Sequence, residues 1–392
     1  MPRIPVSDAE AITLAREVAE RLASDDARRD AERDLPYKEV RDLTEAGLFT
    51  LSIPRSQGPE LGARSLGEVF TELTAGDASI GQIPQNHYFF VNVLAHAGTE
   101  EQRAFFYREV LAGRHFGNAL SERGTRTARE FAIGFELHPD GGRVLNGTKF
   151  YATGSLFAHW IPVYANDEEG RTHAAWVPAD HPGVHVEDDW NGMGQRTTGS
   201  GTVRFDQVRV PAEHIVPVYS IFEKDEVFGA FGQYLHAAID TGIAVGALRE
   251  GKRLIHSLAR PRLEAGVERA ADEGAVIDGF GELALKVRSA RALLREAGAA
   301  LDAARADLSE QSAAEASAAV AAARARSDAV ALAVSSGIFE LIGTRAADRD
   351  LNLHRHWRNA RTHTLHDPRR LKLRYLGGWE LNDTPPPRNG LV

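Results

Sequence analysis

The spacing of apolar residues changes twice along this chain of 392 residues, and the order of the patterns limits its fold. From residue 7 to about 113 the apolar residues recur at helical spacing, which predicts several helices. From 116 to about 218 they alternate in short β-branched runs between turns, which predicts strands. After 219 long helical segments return. This order predicts an α+β protein with three domains, over residues 1–115, 116–218 and 219–392.

The middle region contains six strand candidates, and Pro139-Asp140-Gly141-Gly142 has the composition of a hairpin turn. The candidates are residues 131–137, 143–151, 160–165, 172–177, 184–190 and 202–208. Four helical segments with short connections then predict an antiparallel four-helix bundle. They cover roughly residues 227–258, 266–307, 312–342 and 352–366. The Pro-rich stretch 384–387 is expected to be a surface terminus.

Composition excludes several classes of protein. A formal charge of −9 argues against a general nucleic-acid binder, for which a basic domain is expected. With no cysteine, disulfides, thiolate metal sites and Cys nucleophiles are ruled out. We expect no signal peptide and no membrane span, because the chain opens on an amphipathic helical pattern and contains no long apolar run. A cytoplasmic enzyme is therefore expected.

The densest group of polar side chains is the run 357–368, Trp-Arg-Asn-Ala-Arg-Thr-His-Thr-Leu-His-Asp-Pro. If the run is helical, His363 and His366 lie three apart on one face, and Arg358 and Arg361 form a second row. An imidazole at the C-terminal end of a helix is stabilised by the dipole and the last free carbonyl groups. The run predicts a site that handles protons beside a row that holds anions, although a solvated helix end would look similar.

Two strand ends carry polar side chains and glycine, at residues 117–122 and 146–155. The second joins an aromatic residue, a hydroxyl and a flexible turn, so a flat ring could stack there while N–H groups bond its edge. Strand ends of this composition are also common as plain turns.

The run 357–368 resembles, nearly residue for residue, the C-terminal signature of flavin-dependent monooxygenases that share the acyl-CoA dehydrogenase fold. This is the group of dibenzothiophene monooxygenase and its sulfone-metabolising relatives. The resemblance covers nearly the whole chain. It implies an N-terminal helical domain, a middle β-barrel-like domain and a C-terminal four-helix bundle, in the order that the spacing predicts.

The resemblance assigns roles to both strand ends. It implies that Ser121 contacts the pyrimidine side of the flavin and that Asn118 faces the reaction pocket. It also implies that Tyr151 and Thr153 lie against the isoalloxazine ring. The chain departs from the dehydrogenases at residues 123–125, where Arg-Gly-Thr replaces a Pro and Gly-Ser-Asp run.

Three arginines resemble the family's residues for the flavin phosphate, which a planar guanidinium binds well. Arg260 and Arg262 follow the first bundle helix, and Arg345 follows the third. In the family such arginines reach the flavin of a neighbouring subunit, so the resemblance implies a homotetramer. The turn 192–198 resembles the family's segment after the β domain and would line the substrate side.

The residues around the run bear on the choice between dehydrogenase and oxygenase. An acyl-CoA dehydrogenase removes a proton beside a thioester carbonyl with a carboxylate, which is a Glu in the common enzymes. That Glu is absent here, where His366-Asp367-Pro368 stands in its place. Asp240 and Asp367 remain open as a relocated base. An acyl-CoA dehydrogenase with FAD is therefore the alternative prediction.

An oxygenase needs a dry site with hydrogen bonds and a proton supply, and histidine suits that supply because its pKa lies near neutral pH. His366 is the first candidate and His363 the second, with His87 as a partner across the pocket. Asn118 and Thr153 would supply neutral hydrogen bonds.

These observations predict a two-component monooxygenase that receives reduced FMN from a separate flavin reductase. With O2 it would oxygenate a small hydrophobic substrate at sulfur, nitrogen or an aromatic carbon. No dinucleotide-binding fingerprint is visible, which favours a separate reductase. No metal is expected, because His354, His356, His363 and His366 do not have the spacing of a metal site.

Overall fold

The computed structural model describes residues 2–124, 126–127, 130–137 and 143–389. The hairpin turn predicted at residues 139–142 lies outside these ranges. Within them the chain has helices, then strands, then helices, as the apolar spacing predicts.

Six helices form the N-terminal part. They are α1 (Asp8–Ala23), α2 (Asp26–Glu32), α3 (Tyr37–Glu45), α4 (Ala63–Gly76), α5 (Ala78–Ala97) and α6 (Glu100–Leu111). The Asp77 side chain caps α5, accepting hydrogen bonds from the N–H groups of Ser79 and Ile80. Asp77 is itself ion-paired with the buried Arg29 at 3.1 Å. The start of α5, which carries Gln82, is therefore fixed from two sides.

The strands form two antiparallel sheets, one with the order β1-β2-β6-β5 and one with the order β3-β4-β7. Apolar side chains from both sheets share one core. The middle domain is thus two sheets packed face to face. The strands are β1 (Phe135–Leu137), β2 (Arg143–Lys149), β3 (Trp160–Asn166), β4 (Thr172–Pro178), β5 (Val184–Val186), β6 (Val203–Val210) and β7 (Ile215–Val216).

Three long helices follow, α7 (Phe228–Ser257), α8 (Gly274–Ala306) and α9 (Glu310–Ile342). The predicted fourth helix is shorter than expected: α10 runs over Arg355–His363 and ends before His366. A further helix that the sequence analysis missed, α11, spans Arg369–Asn382. None of the helices within the described residues combines the length and the apolar character that crossing a membrane requires.

The N-terminal and C-terminal helices share a single hydrophobic core. Phe70 and Leu73 of α4 belong to the same buried cluster as Tyr234 of α7 and Leu301 of α8. Since the first and last thirds of the chain are buried against each other, the helical bundle is larger than its four predicted members. α5, α7 and α10 meet within this arrangement, and the candidate site lies where they meet.

Gly194 allows the β domain to approach α10. A Cβ added at Gly194 would lie 2.1 Å from the carbonyl oxygen of Arg358, and the next residue donates its backbone N–H to Asn359 Oδ1 at 2.6 Å. We expect Gly194→Ala to lower the free energy of unfolding by about 1 to 3 kcal/mol through overpacking. Gly281→Ala is the matched control, because its Cβ meets nothing within 4 Å in α8 and should stabilise by about 0.5 to 1 kcal/mol. Urea unfolding of both variants measures the difference, and equal stabilities would contradict it.

Candidate active site

Three histidines from two helices and the loop after α10 lie together. His236 of α7 and His363 of α10 have ring centroids 5.1 Å apart. His366, just beyond α10, lies 5.0 Å from the ring of His236 and 4.9 Å from that of His363. The two histidines predicted from the C-terminal run are therefore neighbours, and α7 supplies a third that the sequence analysis did not select.

A buried ion pair supports His363. His363 Nδ1–H donates to Asp240 Oδ1 at 2.6 Å, and the other carboxylate oxygen of Asp240 is paired with Arg324 of α9. Both Asp240 and His363 are fully buried. Burial raises the pKa of Asp240 to about 6, and the Arg324 guanidinium opposes that rise. Asp240 is thus ionised at neutral pH and holds His363 with its proton on Nδ1.

The hydrogen-bond partners also fix the other two imidazoles. Because His363 Nε2 carries the lone pair, His236 Nδ1–H donates to it at 3.0 Å. His366 Nδ1–H donates to the carbonyl oxygen of His363 at 2.7 Å, which leaves His366 Nε2 as an acceptor for the side-chain amide of Gln82 at 3.3 Å. His366 thus binds a free carbonyl at the helix end, as the sequence analysis expected.

All three imidazoles are uncharged in the resting site. His366 keeps part of its surface exposed, but the surrounding protein makes the charged imidazolium less well solvated and so lowers its pKa, while the bond to the His363 carbonyl opposes the effect. Burial also lowers the pKa of His236 and of His363 well below the ordinary value, and neighbouring imidazoles and Arg324 add to it. His366 is exposed whereas His363 is fully buried. His366 is therefore the member of the cluster that can take up and return a proton, through the lone pair on its Nε2, to which Gln82 donates.

The predicted strand ends also come together. Asn118 donates from Nδ2 to the carbonyl oxygen of Tyr151 at 3.3 Å. Its buried Oδ1 has no hydrogen-bond partner within the part of the chain that the structure describes. Ser121 pairs through its backbone with Phe150, and the buried Thr153 hydroxyl lies 2.7 Å from Ser200 Oγ. This end of the β domain therefore offers one acceptor without a donor, Asn118 Oδ1, and the hydroxyl groups of Thr153 and Ser200.

Tyr151 presents a ring at the same end. It adopts a left-handed φ of 57° and is 49% exposed. Arg123 lies over its ring at 5.4 Å, and Trp190 lies edge-on at 6.2 Å. An exposed aromatic face beside a buried orphan acceptor fits a flat heterocycle that carries N–H groups.

The three arginines predicted for a phosphate lie at one end of the long helices and are exposed. Arg345 donates to the carbonyl oxygen of Leu258 at 3.1 Å, which holds it near the segment of Arg260 and Arg262. Among the described residues, no hydrogen bond or ion pair joins these arginines to Ser121 or Thr153 of the same chain.

Arg358 does not form the anion-holding row that the sequence analysis predicted. Its guanidinium is ion-paired with Asp30 of α2 and also donates to the Met193 carbonyl oxygen at 2.6 Å. Arg361 donates to Thr364 Oγ1 at 2.6 Å. The charge of Arg358 is therefore used to hold α10 against the N-terminal domain.

His87 packs as a core histidine instead of facing the cluster. It is fully buried, its Nε2–H donates to the Phe49 carbonyl oxygen at 2.7 Å, and its Nδ1 accepts from the Phe116 N–H at 3.1 Å. Both ring nitrogens are occupied by backbone groups, so this geometry does not support the predicted role across the pocket.

His87 should make folding sensitive to acid. Burial lowers its pKa to about 4, so below its ordinary value of about 6.5 the unfolded chain takes up a proton that the folded chain refuses. The contribution of uncharged His87 to the free energy of unfolding is complete above its ordinary pKa of about 6.5 and is lost as the pH falls toward 4. Glutamine does not titrate at this position. Between about pH 7 and pH 4.5, we therefore expect the free energy of unfolding of His87→Gln to fall by about 2 to 3 kcal/mol less than that of wild type. Equal losses in urea unfolding would contradict this.

The two carboxylates left open as a dehydrogenase base are both engaged. Asp240 is fully buried between Arg324 and His363. Asp367 is 7% exposed and accepts from Gln233 Nε2 at 2.7 Å. Asp240 is therefore not free to remove a proton from a substrate carbon, and Asp367 is buried with one of its oxygens bonded.

The histidines considered for a metal are split between two places. His356 is bound to Glu250 at 2.7 Å, and His354 accepts from Arg358. The trio that the structure brings within range of a shared ion is His236, His363 and His366, with ring nitrogens within 4.8 Å of one another. The facing nitrogens of His236 and His363 form a hydrogen bond, so their lone pairs do not converge on a common point.

The sequence analysis also missed Gln82, Gln233 and Arg324, whose partners are distant in sequence. Spacing on α7 does carry a signal. Gln233, His236 and Asp240 are three and four apart, so they share one face of a helix. A polar face within a helix that is otherwise buried indicates a site.

The sequence matches three domains of the acyl-CoA dehydrogenase family, the N-terminal domain over residues 9–114, the middle domain over 118–208 and the C-terminal domain over 234–368. Dibenzothiophene monooxygenase of Rhodococcus qingshengii is 30% identical over 97% of this chain and 95% of its own length. A probable FMNH2-dependent monooxygenase of Pseudomonas putida is 30% identical over 96% of both chains.

Solved structures give the same assignment. The complex of TdsC from Paenibacillus sp. A11-2 with FMN and indole superimposes with a TM-score of 0.91, at 29% identity over 97% of this chain and 100% of that one. Methanesulfinate monooxygenase from Pseudomonas fluorescens gives 0.89 at 29% identity, covering 97% of this chain and 99% of that one. Butyryl-CoA dehydrogenase from Megasphaera elsdenii, at 19% identity and a TM-score of 0.83, shares the fold.

Proposed function

Because the chain belongs to the family of flavin-dependent monooxygenases with the acyl-CoA dehydrogenase fold, we propose that it uses reduced FMN and O2 to oxygenate a small hydrophobic substrate. The protein is an oxidoreductase of the monooxygenase type, and the dehydrogenases share its fold. Two of the relatives named above are named for the sulfur compounds dibenzothiophene and methanesulfinate, and a third was solved with indole, so a sulfur- or nitrogen-containing substrate is proposed here.

One observation supports the oxygenase most directly: uncharged imidazoles occupy the site while the nearby carboxylates are engaged. A dehydrogenase requires a carboxylate that can reach the carbon beside the thioester. Asp240 and Asp367 are instead bound to Arg324 and Gln233. His366 carries its proton on Nδ1, so its Nε2, which accepts from Gln82, holds the lone pair that can take up a proton.

The residues at the strand ends fit FMN. Asn118 Oδ1 is a buried acceptor for a ring N–H, Thr153 supplies a hydroxyl group, and the exposed ring of Tyr151 supplies a face. Ser121 would hold the pyrimidine side through its strand end. Bound reduced FMN supplies the electrons that activate O2. The protein binds the ring, excludes water and manages the proton.

We assign proton transfer to His366, because it is more exposed than His363 and its Nε2 carries a lone pair. His363 is a positioning residue. Held by Asp240, it orients its carbonyl oxygen and its Nε2 toward the other two imidazoles. The unprotonated Nε2 of His366 first accepts a proton and then returns it where negative charge develops.

The partners of this function are further proposals. FMN would be reduced by a separate flavin reductase in the cytoplasm. Arg260, Arg262 and Arg345 would bind the FMN phosphate of a neighbouring copy in a homotetramer, which agrees with their exposure and with their position just beyond the ends of α7 and α9.

Flavin binding under equilibrium conditions tests the assignment. We expect the protein to bind FMN in preference to FAD by at least about tenfold, as seen by quenching of flavin fluorescence. A panel of acyl-CoA thioesters added without oxygen should leave the absorbance of the bound flavin unchanged. Bleaching of bound FAD by any thioester would make the protein a dehydrogenase with a relocated base.

A further inference from the structure

One buried glutamine bonds to His366 and another to the adjacent Asp367, and each retains an oxygen without a donor. Gln82 of α5 is 2% exposed and Gln233 of α7 is 3% exposed. Among the residues that the structure describes, neither Oε1 atom has a hydrogen-bond partner. A buried acceptor without a donor is unfavourable, and a ligand that brings an N–H or O–H group can satisfy it.

The partners of the two amides fix their orientation. Gln82 Nε2 donates to His366 Nε2, which is an acceptor because His366 carries its proton on Nδ1. Gln233 Nε2 donates to a carboxylate oxygen of Asp367. Turning either amide over would place an oxygen against another lone pair, so both Oε1 atoms are true acceptors.

An aromatic wall, formed by Phe89, Phe222 and Phe228, lies along α5 and the start of α7, the two helices that carry these acceptors. Gln82 and Phe89 are seven apart and share a face of α5. The ring of Phe89 packs against that of Phe228 of α7 at a tilt of 51°, with centroids 4.7 Å apart, and the half-buried Phe222 lies 6.0 Å from Phe228. A flat apolar ligand against this wall would meet the glutamine oxygens at one end.

Resting on the proposed function, we propose that Gln82 and Gln233 select a small aromatic substrate that carries an N–H or O–H donor over a sulfur heterocycle of the same shape. The wall binds the rings of both, but only the first kind of ligand satisfies a glutamine oxygen. A site built around a hydrogen bond discriminates strongly against an analogue that lacks the donor.

Three ligands separate this proposal from simple shape selection. Indole, N-methylindole and benzothiophene are titrated by calorimetry into the protein loaded with oxidised FMN. Indole should bind at least about tenfold more tightly than the other two, because they lack the donor. Equal affinities, as expected if the flavin itself satisfies the glutamine oxygens, would overturn the proposal, and so would an absence of indole binding.

Variants assign the effect to the two amides. Gln82→Met and Gln233→Met should each lower the ratio of indole to N-methylindole affinity toward one. Gln102→Met is the control, since that buried amide bonds to the carbonyl oxygens of Glu213 and Ile215 in the β domain. It should keep the wild-type ratio. A ratio unchanged in both site variants would overturn the assignment.

These experiments can contradict the proposed donor selection and the proposed function independently of each other. Oxygenation with equal binding of indole and N-methylindole would leave the proposed function in place and remove donor selection. Donor selection without oxygenation of any ligand would leave the binding site in place and remove the proposed function.

Discussion

Arg324→Met is expected to lower the free energy of unfolding by about 3 to 5 kcal/mol near pH 8, the largest loss of stability that we predict. Arg324 is 2% exposed and Asp240 is fully buried, and the two form an ion pair. Removal of the guanidinium leaves a buried carboxylate without compensation and loosens the support of His363. Urea unfolding of wild type and variant measures the loss.

The loss should shrink in acid. Without Arg324, burial raises the pKa of Asp240 further above its value in the unfolded chain, so the folded variant binds a proton more readily. The difference in the free energy of unfolding between wild type and variant is therefore largest at high pH. It becomes smaller as the pH falls through the raised pKa of Asp240. Arg326→Met, two residues along α9, removes only a bond to Ser289 and should cost much less. A deficit of the same size in both variants, or one independent of pH, would contradict the account.

His366→Gln is expected to lower the rate of product formation by about 100- to 10,000-fold, the range for loss of a positioned acid or base. Glutamine keeps a polar side chain at the helix end but cannot transfer a proton. FMN affinity should change little, because the assigned flavin contacts lie on the strand ends. Turnover with photoreduced FMN and fluorescence titration measure the two effects separately.

His354→Gln is the matched control for His366. His354 is an exposed histidine next to the start of α10 and accepts only from Arg358 among its described contacts. It should keep nearly the wild-type rate. The assignment of His366 would fail if both variants kept that rate, or if both lost it together with FMN binding.

Local spacing was enough to predict the architecture and the two histidines of the C-terminal run. The order of helices, strands and helices follows from periodicity, and the run 357–368 drew attention to His363 and His366 because polar residues cluster there. The helix predicted for this run was longer than the helix that the structure shows. The structure ends α10 at His363, where Thr364 caps it, so His366 turns back onto the His363 carbonyl oxygen.

Long-range partners could not be predicted from spacing. Arg358 looked like a free cation because its partner, Asp30, lies 328 residues earlier. His87 looked available because nothing in its neighbourhood indicated that two backbone groups would bind it. His236 and Asp240 bond to His363 only because α7 packs against α10. The two pairs are separated by 127 and 123 positions in the sequence, so spacing could not indicate the contacts.

The most direct test of the central claim is incorporation of label from ¹⁸O-labelled O2. The protein is supplied with FMN reduced by a separate reductase, and indole and dibenzothiophene serve as probes. We predict that ¹⁸O enters a product in wild type and falls to near background in His366→Gln. Unlabelled probes, together with reduction of bound flavin by an acyl-CoA, would contradict the claim and identify a dehydrogenase.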